Sequence, residues 1–179
     1  MARLLCVLLL LVPICLAKSP LRALGQYYLN WDGGMRPCEG FDNSIFDLSK
    51  LVVVKRSKTL LALAGDVKML KETSNKLKFK LTIHKEVNGN YEYLMTVTED
   101  DLCKHISEEK KPWTPIIKEM EIKGCPIPAK MYSFKSSTLD VAGYPLTVGQ
   151  AGHYKAQMEL FDSDVRTVCM LMETNVQPL

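Results

Sequence analysis

The stretch KLKFKLTIHKEVNGNYEYLMTV, residues 76–97, constrains the fold more than any other part of the chain. Leu77, Phe79, Leu81 and Ile83 alternate with Lys76, Lys78, Lys80 and His84. A period of two gives a strand one apolar and one basic face. Residues 85–87 extend it. Asn88-Gly89-Asn90 is a turn sequence that tolerates positive φ. Tyr91, Tyr93, Met95 and Val97 then restart the alternation, so the pattern predicts an antiparallel hairpin.

Other segments repeat the theme. Residues 47–56 contain Leu51-Val52-Val53-Val54. Residues 59–69 place Leu61, Leu63, Val67 and Met69 on one parity, with Gly65 as a bulge. Residues 130–140 align Tyr132 with Phe134. Residues 153–161 set Tyr154, Ala156, Met158 and Leu160 against His153, Lys155, Gln157 and Glu159. After the turn Asp162-Ser163-Asp164, residues 165–173 return with Val168, Met170 and Met172. Between Cys103 and Cys125 the spacing turns helical: Pro115 suits a first helical turn, Ile116, Ile117 and Met120 follow at helical offsets, and Gly124 suits a stop. Residues 18–36 and 177–179 look loosely attached. The sum predicts an all-β chain, an antiparallel β-sandwich or open barrel with a short helical insert.

The first residues, MARLLCVLLLLVPICLA, set one arginine before a short apolar run and a small residue. That predicts a secretory signal peptide over residues 1–17, too short for a membrane span, and one domain over residues 18–179. The chain carries 23 basic against 20 acidic side chains, and the leader removes only Arg3. A balance so near neutral argues against nucleic acid as the main partner.

Cys6 and Cys15 leave with the leader, so Cys38, Cys103, Cys125 and Cys169 remain. The segment DLCKHISEEKKPW, residues 101–113, sets Cys103 two positions before His105, which admits a nucleophile with its base, a metal site, or half of a disulfide. An even number of cysteines in a secreted chain favours disulfides. The cysteines are isolated and the only histidines are His84, His105 and His153, which does not match paired zinc spacings. Four cysteines allow three pairings and their spacing selects none. No G-x-S-x-G or H-E-x-x-H occurs. No enzyme, metal or cofactor is expected, and His105 is expected at the surface.

Several stretches taken in order carry a resemblance. NWDGGMRPCEG, the segment from LALAGDVKML through the lysine-rich hairpin to TEDDLC, GCPIPAKMYSF, and GHYKAQMELFDSDVRTVCMLM together resemble the GM2-activator-like group of the ML (MD-2-related lipid-recognition) proteins over residues 30–175. Arthropod proteins share its Cys-Pro, Gly-x-Tyr and Phe-Asp order. The resemblance implies a cup-shaped β-sandwich around an apolar cavity that lifts lipids from membranes and presents them to an enzyme or receptor. It also implies the pairs Cys38–Cys169 and Cys103–Cys125. The sequence departs from the glycolipid activator in lacking its extra cysteines and any N-x-S/T sequon, which favours the extracellular space over the lysosome.

On this reading the protein is a secreted lipid-binding or lipid-transfer protein. The rival roles are a chemosensory carrier of small hydrophobic cues and a receptor ligand or co-receptor. Leu61, Leu63, Met69, Phe79, Leu81, Ile83, Tyr93, Met95, Ile117, Met120, Phe134, Tyr154, Met158, Leu160 and Met170 are the expected cavity residues. Methionine, flexible and polarizable, suits irregular acyl chains as well as ordinary cores. Trp113, between two prolines, is either a membrane-touching lid residue or a cap on the core. Tyr144 and Leu146 form a second apolar loop at the same cup end. Lys76, Lys78 and Lys80 are either a solvated face or a stripe for anionic headgroups.

Overall fold

In a computed structural model, residues 27–56, 61–109, 111, 113–139 and 151–178 are described. The expected leader and the loop with Tyr144 and Leu146 lie outside them. The chain runs β1 (Tyr27–Pro37), β2 (Phe46–Lys55), β3 (Leu61–Met69), β4 (Leu77–Val87), β5 (Asn90–Glu99), α1 (Leu102–His105), α2 (Thr114–Glu119), β6 (Met131–Leu139), β7 (Gly152–Asp162) and β8 (Val165–Pro178). These make a large sheet ordered β1-β8-β7-β4-β5 and a small one ordered β2-β3-β6, with every pair antiparallel. The all-β sandwich with a short helical insert is therefore present.

Turn chemistry sets the registers. Asn88 and Gly89 both take positive φ, 53° and 82°, the two-residue turn whose twist matches paired strands. Ser163 and Asp164 do the same at 52° and 68°, held by the Ser163 amide on the Lys76 carbonyl at 2.9 Å. Gly65 has φ +104°, and a Cβ there would meet the Lys50 carbonyl oxygen at 2.0 Å. The bulges belong to its neighbours, not to β3: the extra residues lie in β2 between Asp47 and Lys50 and in β6 between Phe134 and Ser137. Gly65 is what lets these strands approach so closely.

The ends differ from expectation too. Residues 27–36 are not loosely attached: they lie in β1, which pairs along β8 from Tyr27 opposite Pro178 to Pro37 opposite Met170. The strand begun at Val165 accordingly runs past Glu173, and Gln177 is paired as well. The alternation rule missed β1 because WDGGMRP lacks it, and the register with β8 shifts between Trp31 and Met35.

The helical insert is two short helices. Asp101 caps α1 by accepting from the Lys104 amide, and Pro115 sits in the first turn of α2. The stop comes before Gly124. Glu121 takes the left-handed position at φ 54°, its amide bonding Lys118 O while Ile122 N bonds Ile117 O, both at 3.1 Å. That is the paired-bond helix ending usually built on glycine.

Both disulfides join residues that the fold brings together, Cys38 with Cys169 and Cys103 with Cys125, at Cα separations of 5.4 and 5.5 Å. The first is flanked by the Cys38 amide on Cys169 O and by Asn43 Oδ1 accepting from the Cys169 amide. The main core packs Leu63, Val67, Met69, Tyr132 and Phe134 of the small sheet on Leu77, Leu160, Val168 and Met170 of the large one. Leu102, Ile106, Met120 and Ile122 close it from the helical side.

Candidate functional site

The ambiguity at Cys103 is decided by its bond to Cys125: a bridged sulfur supplies no thiolate. His105 is not at the open surface but half-buried. Its Nδ1 lies 2.5 Å from Glu108 Oε1 and its Nε2 lies 3.9 Å from Glu99 Oε1. Lys111 Nζ reaches Glu108 at 3.2 Å and Glu99 at 3.7 Å. The hydrogen bond from His105, then that from Lys111, holds the Glu108 carboxyl below its ordinary range. This polar knot ties the β5 end to the helical insert. Among the described residues no group of three or more His, Cys, Asp and Glu is arranged to hold a metal ion.

Trp113 belongs to the same end. Its ring meets Phe79 edge-on at 5.8 Å, its Nε1 donates to His105 O at 3.4 Å, and the Lys111 ammonium lies 5.6 Å from the ring centroid. The indole is half-buried and packs on the main core, which is the capping placement. The helices, the Cys103–Cys125 bridge and Trp113 together close this end of the sandwich.

The interior changes character along the large sheet. Leu63, Met69, Met120, Phe134, Leu160 and Met170 lie in the main core, with Ile117 packed against it. Leu81, Ile83, Tyr154 and Val176 form a second buried cluster, with Met95, Val97, Ala156 and Met172 partly buried around it. Phe79 and Met158 touch both clusters. The main core draws on both sheets. The second cluster, among the described residues, draws on β4, β5, β7 and β8 alone, all in the large sheet. The side chain of Leu61 lies outside the described residues.

Tyr93 is a correction. Its ring is 66% exposed and does not join the interior set. The register of β4 with β5 shifts between Ile83, opposite Met95, and His84, opposite Tyr93. The extra residue, Leu94, moves Tyr93 to the outer face, where it meets His84 edge-on at 6.2 Å. A single extra residue inverts every face beyond it, and the unbroken Tyr91-Tyr93-Met95-Val97 pattern gave no sign of it. Met131, which was not among the expected cavity residues, lies on the outside at the start of β6, 53% exposed. Conversely, Val97, Ala156, Met172 and Val176 join the second cluster without having been singled out. The first three follow from the alternation, whereas Val176 lies past the expected strand end.

The outer lysine stripe is largely engaged by acids. Lys78 pairs with Asp164 at 2.6 Å and Lys80 with Glu159 at 3.4 Å. Glu159, its side chain only 5% exposed, also takes Arg166 at 2.9 Å. Burial alone would raise its pKa, but the bonds and charges of Arg166 and Lys80 prevail and hold the carboxyl below its usual range. A surface cleft of ≈ 590 Å³ between the end of α2 and β6 is lined mainly by charged groups, among them Lys118, Glu119, Glu121, Lys130 and Lys135. It lies outside the apolar interior. Among the described residues no helix is long and apolar enough to cross a membrane.

No protein-family model matches the sequence, and no curated protein matches it. Among solved structures the chain is similar to chicken MD-1 complexed with lipid IVa, at 12% identity and a TM-score of 0.43, over 86% of this chain and 98% of that one. It is also similar to a Niemann-Pick type C2 protein from the Japanese carpenter ant, at 8% identity and a TM-score of 0.39, over 78% of this chain and 96% of that one.

Proposed function

We propose that this protein is a secreted lipid-binding protein that holds hydrocarbon chains between its two sheets, at the end away from the helices, and carries or presents the lipid. The observation that carries this reading is the second apolar cluster, which faces inward yet, among the described residues, is assembled from the large sheet alone. A sheet face this apolar calls for an apolar counterpart. An acyl chain supplies one at roughly 0.8 kcal/mol per buried methylene, so about a dozen methylenes offer roughly 10 kcal/mol before the costs of binding. Met95, Met158 and Met172 give that face soft, adaptable side chains. Two disulfides suit an oxidising, extracellular setting. The sequence resemblance to lipid-recognition proteins points the same way. The role is binding, not catalysis.

The test is native mass spectrometry of protein secreted from eukaryotic cells, followed by organic extraction. A stoichiometric acyl-chain ligand is expected. Ala156→Asp, in the second cluster, should abolish uptake, while Met131→Asp, on the outer surface, should not. A protein that arrives empty and takes up no offered fatty acid, phospholipid or hydrocarbon sinks the reading.

A further inference from the structure

Strand β6 is an edge. In the order β2-β3-β6, no strand among the described residues covers its side away from β3. The Met69 amide donates to Lys130 O at 2.9 Å, and Val67 stands opposite Tyr132 and Gly65 opposite Phe134. In an antiparallel pair alternate residues turn their N–H and C=O to the neighbouring strand. Residues 130, 132 and 134 thus bond toward β3, while Met131, Ser133 and Lys135 turn their backbone groups outward. The Lys135 amide shows this parity directly: it donates to Glu119 Oε1 of α2 at 2.7 Å. The cleft of ≈ 590 Å³ lies along this edge, with residues 118–121 as its helical wall and residues 130–133 and 135 as its strand wall. A trough between a helix and an open strand edge is the shape that takes an extended peptide as an added strand. From Met131 to Lys135 it runs about 13 Å, which fits about four or five residues.

Glu119 already shows what this edge accepts. Its carboxylate oxygen occupies the place that the carbonyl of an added strand would take at Lys135, and Met131 and Ser133 offer the same kind of backbone groups beside it. The charges select the occupant. Lys118 is engaged by Glu109 at 2.9 Å, but among the described residues neither the Lys130 nor the Lys135 ammonium has an acidic partner; that of Lys130 lies 4.7 Å from the centroid of the Tyr132 ring. Glu121 lines the helical wall, so cations exceed acids by a small margin and suit a segment with a few acidic side chains, not a polyanion. A second copy fits poorly. Self-pairing of β6 about a two-fold axis at Ser133 would bring Lys130 and Lys135 of both copies to one seam, where like charges oppose pairing. We propose that the outward edge of β6 docks an extended, acidic segment of a partner protein as a fourth strand of the small sheet. The edge lies apart from the second apolar cluster, which belongs to the large sheet, so its occupancy is independent of lipid.

The experiment measures, by calorimetry on the mature protein, binding of a blocked hexapeptide of alternating valine and glutamate. Two comparison probes are the same peptide with lysine in place of glutamate and the acidic peptide N-methylated at alternate residues, in either phase. The acidic peptide should bind about tenfold more tightly than the lysine peptide, and N-methylation in one phase should abolish binding. Lys130→Gln and Lys135→Gln together should erase the preference for the acidic peptide. Lys155→Gln, on the large sheet over Tyr91 at 5.2 Å, should leave it unchanged, which separates a local contact from general attraction. Met131→Pro removes one outward amide at the start of β6, a place where proline is tolerated, and should weaken binding several-fold. No binding of the acidic peptide, equal binding of the lysine peptide, undiminished binding of both N-methylated forms, or an unchanged preference in the double lysine variant each overturns the proposal. A dimer in sedimentation that the acidic peptide fails to dissociate assigns the edge to a second copy and overturns it as well.

Discussion

Replacing Cys103 and Cys125 together by alanine separates two roles open to the helical end, holding the fold and holding the ligand. The bridge spans 22 residues in sequence. The chain-entropy model then gives a loss of about 3.4 kcal/mol at room temperature. The bridge from Cys38 to Cys169 spans 131 residues, for which the same model gives about 5 kcal/mol. Cys169 is also fully buried, so its truncation adds a packing loss in the same direction. The Cys103/Cys125 variant should therefore stay folded, with its melting midpoint lowered by roughly 7–14 °C. The Cys38/Cys169 variant should be hurt more.

Two assays check this. Thermal unfolding followed by circular dichroism gives the order of the two losses. Lipid uptake by the Cys103/Cys125 variant, measured well below its midpoint, should match that of the native protein, because the second apolar cluster lies along the sheet from Phe79 toward Tyr154 and the helical end is already filled by Trp113, Ile106 and Met120. A Cys103/Cys125 loss equal to or larger than the Cys38/Cys169 loss would refute the loop-length argument. Lost uptake in a folded Cys103/Cys125 variant would refute placing the site away from the helices.

Three further outcomes follow from the geometry. The folded pKa of Glu159 is lowered, so its ion pairs with Lys80 and Arg166 stabilise above the unfolded value near 4.5 and fade as pH falls through the folded value. Native protein should thus exceed Glu159→Gln in urea-melt stability at neutral pH, and the two should converge in acid. Glu121→Gly should stabilise by about 0.5–1 kcal/mol, since glycine takes the left-handed helix ending without a Cβ penalty. A lowered midpoint would count against that ending. Gly65→Ala should cost about 3 kcal/mol or more, because both the φ and the Lys50 carbonyl forbid a Cβ, and secretion yield should drop accordingly.

Period-two alternation carried most of the architecture, because a half-buried strand writes its two faces into adjacent residues. It placed β4, β7 and the start of β8, and with them Leu81, Ile83, Tyr154 and Met170. It failed where backbone geometry breaks the count without changing the letters. Leu94 is one extra residue in an apolar stretch, and only the pairing of His84 with Tyr93 shows that the face has turned over. It also failed at β1, whose Trp-Asp-Gly-Gly run reads as a loop and becomes a strand through long-range pairing with β8. The division of the interior into a two-sheet core and a one-sheet cluster was not legible at all, since it depends on which side chains of the small sheet face which part of the large one. Lys85 shows how these limits interact. In the sequence it is one more lysine after Lys76, Lys78 and Lys80, but those three occupy even positions on the outer face, whereas 85 is odd. The strand count therefore already puts it inside, and the unshifted pairing with β7 makes that parity physical. A charged residue can stand on the inner side of this strand because the main core has ended there, and its stem reaches Gly152 with its ammonium 5.7 Å from the centroid of the Tyr154 ring.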